Sequence, residues 1–207
     1  MTQASYELFK SELETAFYFY DYGFSKGKEI SCSWILDRIT SGNAIDIGGT
    51  TSLVNNLRKK FIACSYFDAF PSSEELVPLP DTKMIVGDIH SVLDLTGLKS
   101  FDNIICRHTL EHAMNPMFVL WSFNKILKDD GSVYIIVPRH AKHWVWFYTH
   151  FSCLPLENYL MLFYRAGFKV IEHEVGFWDD EQKNRMEDRF HLKVDSRFLR
   201  LNNPEGL

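Results

Sequence analysis

The sequence predicts an α/β fold: a doubly wound, Rossmann-like, mostly parallel seven-stranded sheet with helices on both faces. Three observations carry this expectation. Short apolar runs of strand type alternate with segments of helical spacing, the pattern of a sheet covered on both sides. The first run ends in a glycine pair that opens a helix. Acidic residues then close successive runs, at the strand ends where open α/β sheets bind ligands.

The elements follow in order. Tyr6 to Thr40 reads as one or two helices rich in aromatics, with Tyr18, Tyr20 and Tyr22 placed to close over a ligand or to pack. NAIDI, Asn43 to Ile47, is the first strand, and Leu53, Val54 and Leu57 then recur at helical spacing. FIACSYFD (Phe61 to Asp68) and KMIVGD (Lys83 to Asp88) are the next strands, separated by a proline- and acid-rich loop from Pro71 to Thr82. FDNIIC, Phe101 to Cys106, is the fourth. A helical run, MFVLWSFNKILKDDG, follows and is expected to stop at Gly131, as helices often end at glycine. SVYIIVP, Ser132 to Pro138, is a buried strand. PLENYLMLFYRAG reads as a helix closed by Gly167, then FKVIEHEV as a strand and a last strand near FHLKV.

Composition narrows the function classes. The 207 residues suit one domain; 46% hydrophobic and 24% charged residues are ordinary for a globular chain. No apolar run approaches the roughly 18 residues of a membrane span. The first residues, MTQASYELFKSELE, lack the basic and apolar regions of a secretory signal, so a cytoplasmic location is expected. Cys32, Cys64, Cys106 and Cys153 are far apart and unpaired in pattern, which predicts buried, reduced thiols. With 27 acidic against 22 basic residues, no broad field attracts a polyanion, and nucleic acid is not an expected partner. Neither is a membrane.

HTLEH, His108 to His112, spells the H-x-x-E-H pattern of inverted zinc proteases. Such an enzyme needs its two histidines on one face of a sustained helix, plus a third ligand. Pro116 disfavours helical geometry at Asn115, which leaves room for little more than one turn. The expectation is a strand-end loop, with no metal.

The strand ends carry the ligand signal. In DIGGTTS, Asp46 to Ser52, Gly48 and Gly49 let the backbone turn sharply before a helix N-terminus. Asp68 lies 22 residues beyond Asp46, where an acid can accept hydrogen bonds from ribose hydroxyls. Gly87-Asp88 places another carboxylate on the same edge.

DIGGTTS, the acid of SYFDAF, VGDI, and FDNIICRHTLEHAMNPMFVLWSFNKILKDDGSVYIIVP resemble successive motifs of class I S-adenosylmethionine-dependent methyltransferases. The resemblance runs from about Asn43 to Pro138, and LPLENYLMLFYRAGFKVIEHEV is similar to the family's later helix and strand. It implies a single domain over 1–207: a helical cap (1–40), a cofactor-binding core (41–138), and an acceptor-side segment that completes the sheet (139–207).

It also implies roles. Asp46 and Gly48 would shape the methionine end of an S-adenosylmethionine pocket, Asp68 would bind the ribose, and Asp88 with Ile89 would take the adenine. Cys106 and Arg107 would line the floor near the sulfonium. The family's glycine turn carries further glycines where this chain has Thr50 and Ser52, which implies either hydroxyls that meet the methionine carboxylate or a pocket that has degenerated. A non-catalytic cofactor-binding relative and a nicotinamide oxidoreductase are the alternatives, though DIGGTTS does not supply the G-x-G-x-x-G of the latter.

His108, two residues past the fourth strand, is the first candidate for a general base; the alternative is a histidine hydrogen-bonded within its loop. His140, His143 and His150 sit among Trp144, Trp146, Phe147 and Tyr148, a stretch that suits an acceptor wall, a homodimer interface or plain packing. The expected acceptor is a small polar metabolite or sugar, methylated on oxygen or nitrogen.

Overall fold

A computed structural model describes residues 25–49, 51–60, 62–69, 82–141, 145, 149–177 and 186–197. Thr50, the tyrosines at 18, 20 and 22, most of the loop from Pro71, and His143 with its four aromatic neighbours lie outside the described residues.

Helix α1 (Ser25–Arg38) leads into β1 (Ala44–Ile47), α2 (Thr51–Lys59), β2 (Cys64–Asp68) and β3 (Met84–Val86). The short α3 (Val92–Thr96) precedes β4 (Phe101–Arg107). Then come α4 (Pro116–Ile126), β5 (Leu127–Pro138), α5 (Leu156–Arg165), β6 (Phe168–Phe177) and β7 (Met186–Val194). The seven strands form one sheet in the order β3-β2-β1-β4-β5-β7-β6. β1 to β5 pair in parallel, whereas β7 is antiparallel to both neighbours. The sheet is therefore mixed. After α5 carries the chain across, β6 runs in the direction of β5, and a reversal sends β7 back into the gap between them.

Alternate residues face opposite cores, as strand geometry requires. Ile104, Cys106, Val133, Ile135 and Val137 join Phe123, Phe163 and Phe190 on the α4/α5 side. Ile105, Tyr134 and Ile136 meet Trp34, Ile35, Leu53, Val54 and Leu57 on the α1/α2 side. Arg38 ties α1 to the sheet edge: its guanidinium donates to both carboxylate oxygens of Glu172 on β6, at 2.9 and 2.5 Å, and lies over the Trp34 ring. All four cysteines are buried thiols, none joined in a disulfide.

Two local expectations change. The helix expected to reach Gly131 ends at Ile126, and Leu127 is already extended and paired with Phe101. Full burial of Leu127 at the sheet outweighs continuing a helix into the exposed Lys128-Asp129-Asp130. The last strand begins at Met186, well before FHLKV, because Glu187, Asp188 and Arg189 are buried inside the sheet with partners of their own. Among the described residues, no helix is long and apolar enough to cross a membrane.

Candidate active site

β1 pairs with β2 on one side and β4 on the other, so the connections after β1 and β4 leave the sheet in opposite directions. A crevice opens at such a switch point, beyond the carboxyl ends of the strands. Here it is a cavity of about 250 Å³. Gly48, Asp68, Asp88 and Ile89 line it, together with His108, Thr109, His112, Met114 and Phe151.

The turn after β1 depends on glycine. Gly48 has φ +69°, and its N–H donates to Phe67 O at 2.7 Å. A Cβ there would lie 2.0 Å from Thr109 Oγ1. The chain crosses directly beneath the loop that follows β4, and only a residue without a side chain fits.

The acids at the ends of β2 and β3 are placed differently. Asp68 is half-buried on the cavity wall. Asp88 caps a single 3₁₀ turn, where its Oδ1 accepts from the His90 N–H at 2.9 Å and from His90 Nδ1 at 2.6 Å. His90 Nε2 in turn accepts the Asn115 N–H at 3.1 Å. With Nδ1 turned to the carboxylate and Nε2 to the Asn115 N–H, the ring aims the Asp88 carboxylate. Burial pushes the Asp88 carboxyl up, but the bonds from His90 outweigh it and hold it below its ordinary value. Both acids thus face the cavity as acceptors.

Three expected residues sit behind the lining. Asp46 is 1% exposed, under the turn it precedes, where a Cβ on Gly49 would come 2.9 Å from its Cβ. Cys106 is buried in the α4/α5-side core, and burial pushes its thiol well above the ordinary range. Arg107 points to the opposite face, its Nη1 donating to Cys32 Sγ of α1 at 3.2 Å. The side chains of Cys106 and Arg107 therefore turn away from the cavity; only their backbone is available at the β4 end. Of the two hydroxyls expected near the glycine turn, Ser52 is exposed on α2.

HTLEH folds as the spacing indicated, into a single 3₁₀ turn at Leu110–His112, after which Pro116 opens α4 with Asn115 as its cap. His108 has φ +49°, an unusual conformation for a side-chain-bearing residue. Its two ring nitrogens both face carboxylates: Nε2 is 2.9 Å from Glu187 Oε2, and Nδ1 is 3.5 Å from Glu111 Oε1. Burial lowers the imidazole pKa, yet the bonds with Glu111 and Glu187 prevail and leave it raised. Burial also pushes the Glu111 and Glu187 carboxyls up, and in each the hydrogen bond with His108 helps to bring the value below the ordinary one. From Glu187 the chain of charges continues to Arg189, whose Nε donates to Glu187 at 2.6 Å and whose Nη1 donates to Glu174 at 3.1 Å.

Four participants carry weak or no marks in the sequence. His90 belongs to no motif, Phe151 ends the aromatic and histidine-rich stretch from His140 that suits an acceptor wall, an interface or plain packing, and Thr109 meets Gly48 only because β4 lies beside β1. Glu187 does leave a signal: three charged residues in a row, Glu187-Asp188-Arg189, directly before an apolar strand. His140, one of the alternative bases, is exposed.

The residues present fit an adenosine-bearing, zwitterionic methyl donor: a glycine turn with close backbone approach, then two carboxylates at successive strand ends in the lining. The comparisons agree. A family model described as a methyltransferase domain matches residues 30–173. No curated protein sequence matches the chain. Among solved structures, a 1,6-didemethyltoxoflavin-N1-methyltransferase from Burkholderia thailandensis is similar with a TM-score of 0.74 at 11% identity, over 92% of this chain and 88% of that one. A SAM-dependent methyltransferase from Archaeoglobus fulgidus aligns with a TM-score of 0.62 at 13% identity, over 84% of this chain and 100% of the other. The [4+2]-cyclase SpnF shares the fold too, with a TM-score of 0.63 at 13% identity over 79% of each chain. Matched over most of its length, the chain belongs to the methyltransferase domain family and is a class I enzyme that uses S-adenosylmethionine.

Proposed function

We propose that this enzyme transfers the methyl group to oxygen or nitrogen of a small polar metabolite or sugar. The observation that carries the reading is one cavity whose lining combines two carboxylates, Asp68 and Asp88, with His108, His112, Met114 and Phe151. In this reading Asp68 accepts from the ribose hydroxyls, and Asp88 accepts from the adenine amino group beside Ile89. Gly48 gives backbone access, Asp46 supports the turn from below, and Cys106 and Arg107 contribute backbone at the end of β4.

S-adenosylmethionine supplies a methyl group already activated by its sulfonium. The protein's share is alignment of acceptor, methyl and sulfur, and exclusion of water. His108 serves this reading as a clasp between the β4 loop and β7, since each of its nitrogens already faces a carboxylate. The imidazole, thioether and phenyl groups of the lining suit a small acceptor with a few polar contacts. The Burkholderia structure, which contains bound 1,6-didemethyltoxoflavin, supports a small acceptor. So does the shortage of basic residues, 22 against 27 acidic, for a nucleic-acid substrate.

The test is a methyl-transfer screen with labelled cofactor against metabolite, nucleotide-sugar, tRNA, DNA and peptide pools. Label in a metabolite or sugar fraction is expected. Salt-sensitive labelling of nucleic acid alone would overturn the acceptor class, and cofactor binding without transfer to any pool would point to a non-catalytic relative.

A further inference from the structure

We propose that Glu111, His112 and His150 form a binding site for a divalent transition-metal ion, zinc in the first place, beside the cavity. The site lies beyond the methyl-transfer reading and does not depend on it.

The three side chains each offer one ligand atom, and these atoms all lie within 4.8 Å of one another. Ligands held at about 2.0–2.1 Å in tetrahedral geometry are about 3.4 Å apart. Closure therefore needs the groups to approach by up to roughly 1.4 Å, a movement that turns of the two histidine side chains supply. The His112 and His150 ring centroids are 4.9 Å apart, with planes at 73°. Two imidazoles sharing an ion at that bond length would have centroids roughly 4.5–5.2 Å apart, so the rings already stand at the right separation.

Nδ1 of His112 is 2.8 Å from Thr149 O, and a carbonyl only accepts, so Nδ1 donates there and Nε2 is the nitrogen left for an ion. A histidine ligand is ordinarily oriented in this way, by a hydrogen bond from its other nitrogen. Glu111 supplies the second observation. It is 1% exposed, and its Oε2 is buried without a hydrogen-bond partner among the described residues, although Oε1 faces His108. An unsatisfied carboxylate oxygen in the interior is costly, and a cation would satisfy it.

The backbone holds these groups in place. The Ser152 N–H donates to Glu111 O at 2.9 Å, Ser152 Oγ donates to Ala113 O, and Tyr159 OH donates to Ser152 O at 2.5 Å. The segment that carries His150 is thereby stitched to the turn that carries Glu111 and His112. His108, the other histidine of HTLEH, is not part of the set, since both of its nitrogens are directed at carboxylates. Two imidazoles and a carboxylate are a zinc ligand set, and they leave a fourth position for water or an acceptor oxygen. His112 lines the cavity, which brings that position to its wall.

The experiment is equilibrium dialysis of tag-free, chelator-stripped protein against Zn²⁺, and separately Co²⁺, whose visible spectrum reports coordination number. One equivalent of either ion is expected, with an intense low-coordinate cobalt spectrum. His150→Gln and Glu111→Gln should each weaken binding by at least about 10-fold, while His140→Gln, at an exposed histidine outside the set, should not. Because Glu111→Gln removes a buried charge and is liable to misfold, the deciding variant is His150→Gln, with its fold checked by circular dichroism. Less than one equivalent in the unaltered protein, or undiminished binding in folded His150→Gln, overturns the site. Calorimetry with S-adenosylhomocysteine on the stripped protein reads the methyl-donor pocket separately.

Discussion

Thr109 occupies the space in front of Gly48 so completely that a Cβ on the glycine would lie 2.0 Å from its Oγ1 and 2.7 Å from its Cγ2. The β1 turn and the β4 loop are thus one fitted unit, although 61 positions separate them in sequence. Gly48→Ala meets this clash and also a φ of +69° that alanine tolerates poorly, a strain of about 1–3 kcal/mol. Thermal unfolding should show that loss, and calorimetry at least a tenfold weaker hold on S-adenosylhomocysteine. Adding Thr109→Ala should relieve the clash and leave the backbone strain, so recovery should be partial. Full recovery would show that φ is unimportant there.

Asp68→Ala should weaken cofactor binding by about 1.5–3 kcal/mol, the scale of hydrogen bonds to a charged group. Calorimetry with S-adenosylhomocysteine measures it. An unchanged affinity would remove Asp68 from the ribose position.

For Asp88 the neighbouring His90 offers a finer probe. His90→Phe deletes the 2.6 Å contact to Asp88 and the acceptor for the Asn115 N–H, leaving the backbone N–H of residue 90 to hold the carboxylate. A several-fold loss of adenosine affinity with unchanged fold is expected. If His90→Phe binds as tightly as the unaltered protein, the aim of Asp88 does not depend on its neighbour.

What sequence disclosed and what it concealed divide along a physical line. Gly48, Asp68 and Asp88 were legible as residues of one edge because each follows or closes an apolar run, and a doubly wound sheet brings such ends together, whereas Asp46 lies behind the lining. Contacts between edges of different strands were not legible. Thr109 over Gly48, His108 with Glu187, and His112 beside His150 depend on strand order and on loop paths that no local periodicity encodes. β7 was half visible: its apolar residues read as a strand, while its buried charges read as the loop before one. Cys106 and Arg107 mark a further limit. Position at a strand end was readable, but the alternation of side chains sends one into each core.

His191 yields a pH prediction. It stacks on Tyr134 at 4.8 Å, with Nε2 3.1 Å from Ser132 Oγ. Burial lowers its pKa, and Lys193 and Arg38 nearby act in the same direction against the opposing Glu172. A histidine whose folded value lies below its unfolded one stabilises the fold above the unfolded value, 6.5, and loses that contribution as pH falls through the folded value. His191→Gln keeps a hydrogen-bonding group without the titration. The stability difference between unaltered protein and variant should therefore shrink between about pH 7 and pH 5, measured by urea unfolding. A difference that grows on acidification would mean that His191 is better tolerated charged.

His108 and Glu187 provide the last test, because the same residue suits two jobs that mutation separates. As a clasp, the imidazole links the loop after β4 to β7, and its loss leaves Glu187 and Glu111 facing each other's charge with less compensation. Breaking a buried pair of this kind costs about 3 kcal/mol, moderated here because Arg189 still donates to Glu187. His108→Gln should then unfold at distinctly lower urea while turnover, once an acceptor is known, falls by less than about tenfold. In a double-mutant cycle with Glu187→Gln, a coupling of about 1–3 kcal/mol is expected, since the two groups share one hydrogen bond. A general base behaves otherwise: turnover would drop by about 10²–10⁴-fold with cofactor affinity intact, and the stability coupling to Glu187 would be small. That outcome would mean the loop opens in the working enzyme and frees one nitrogen of His108 for the acceptor's proton.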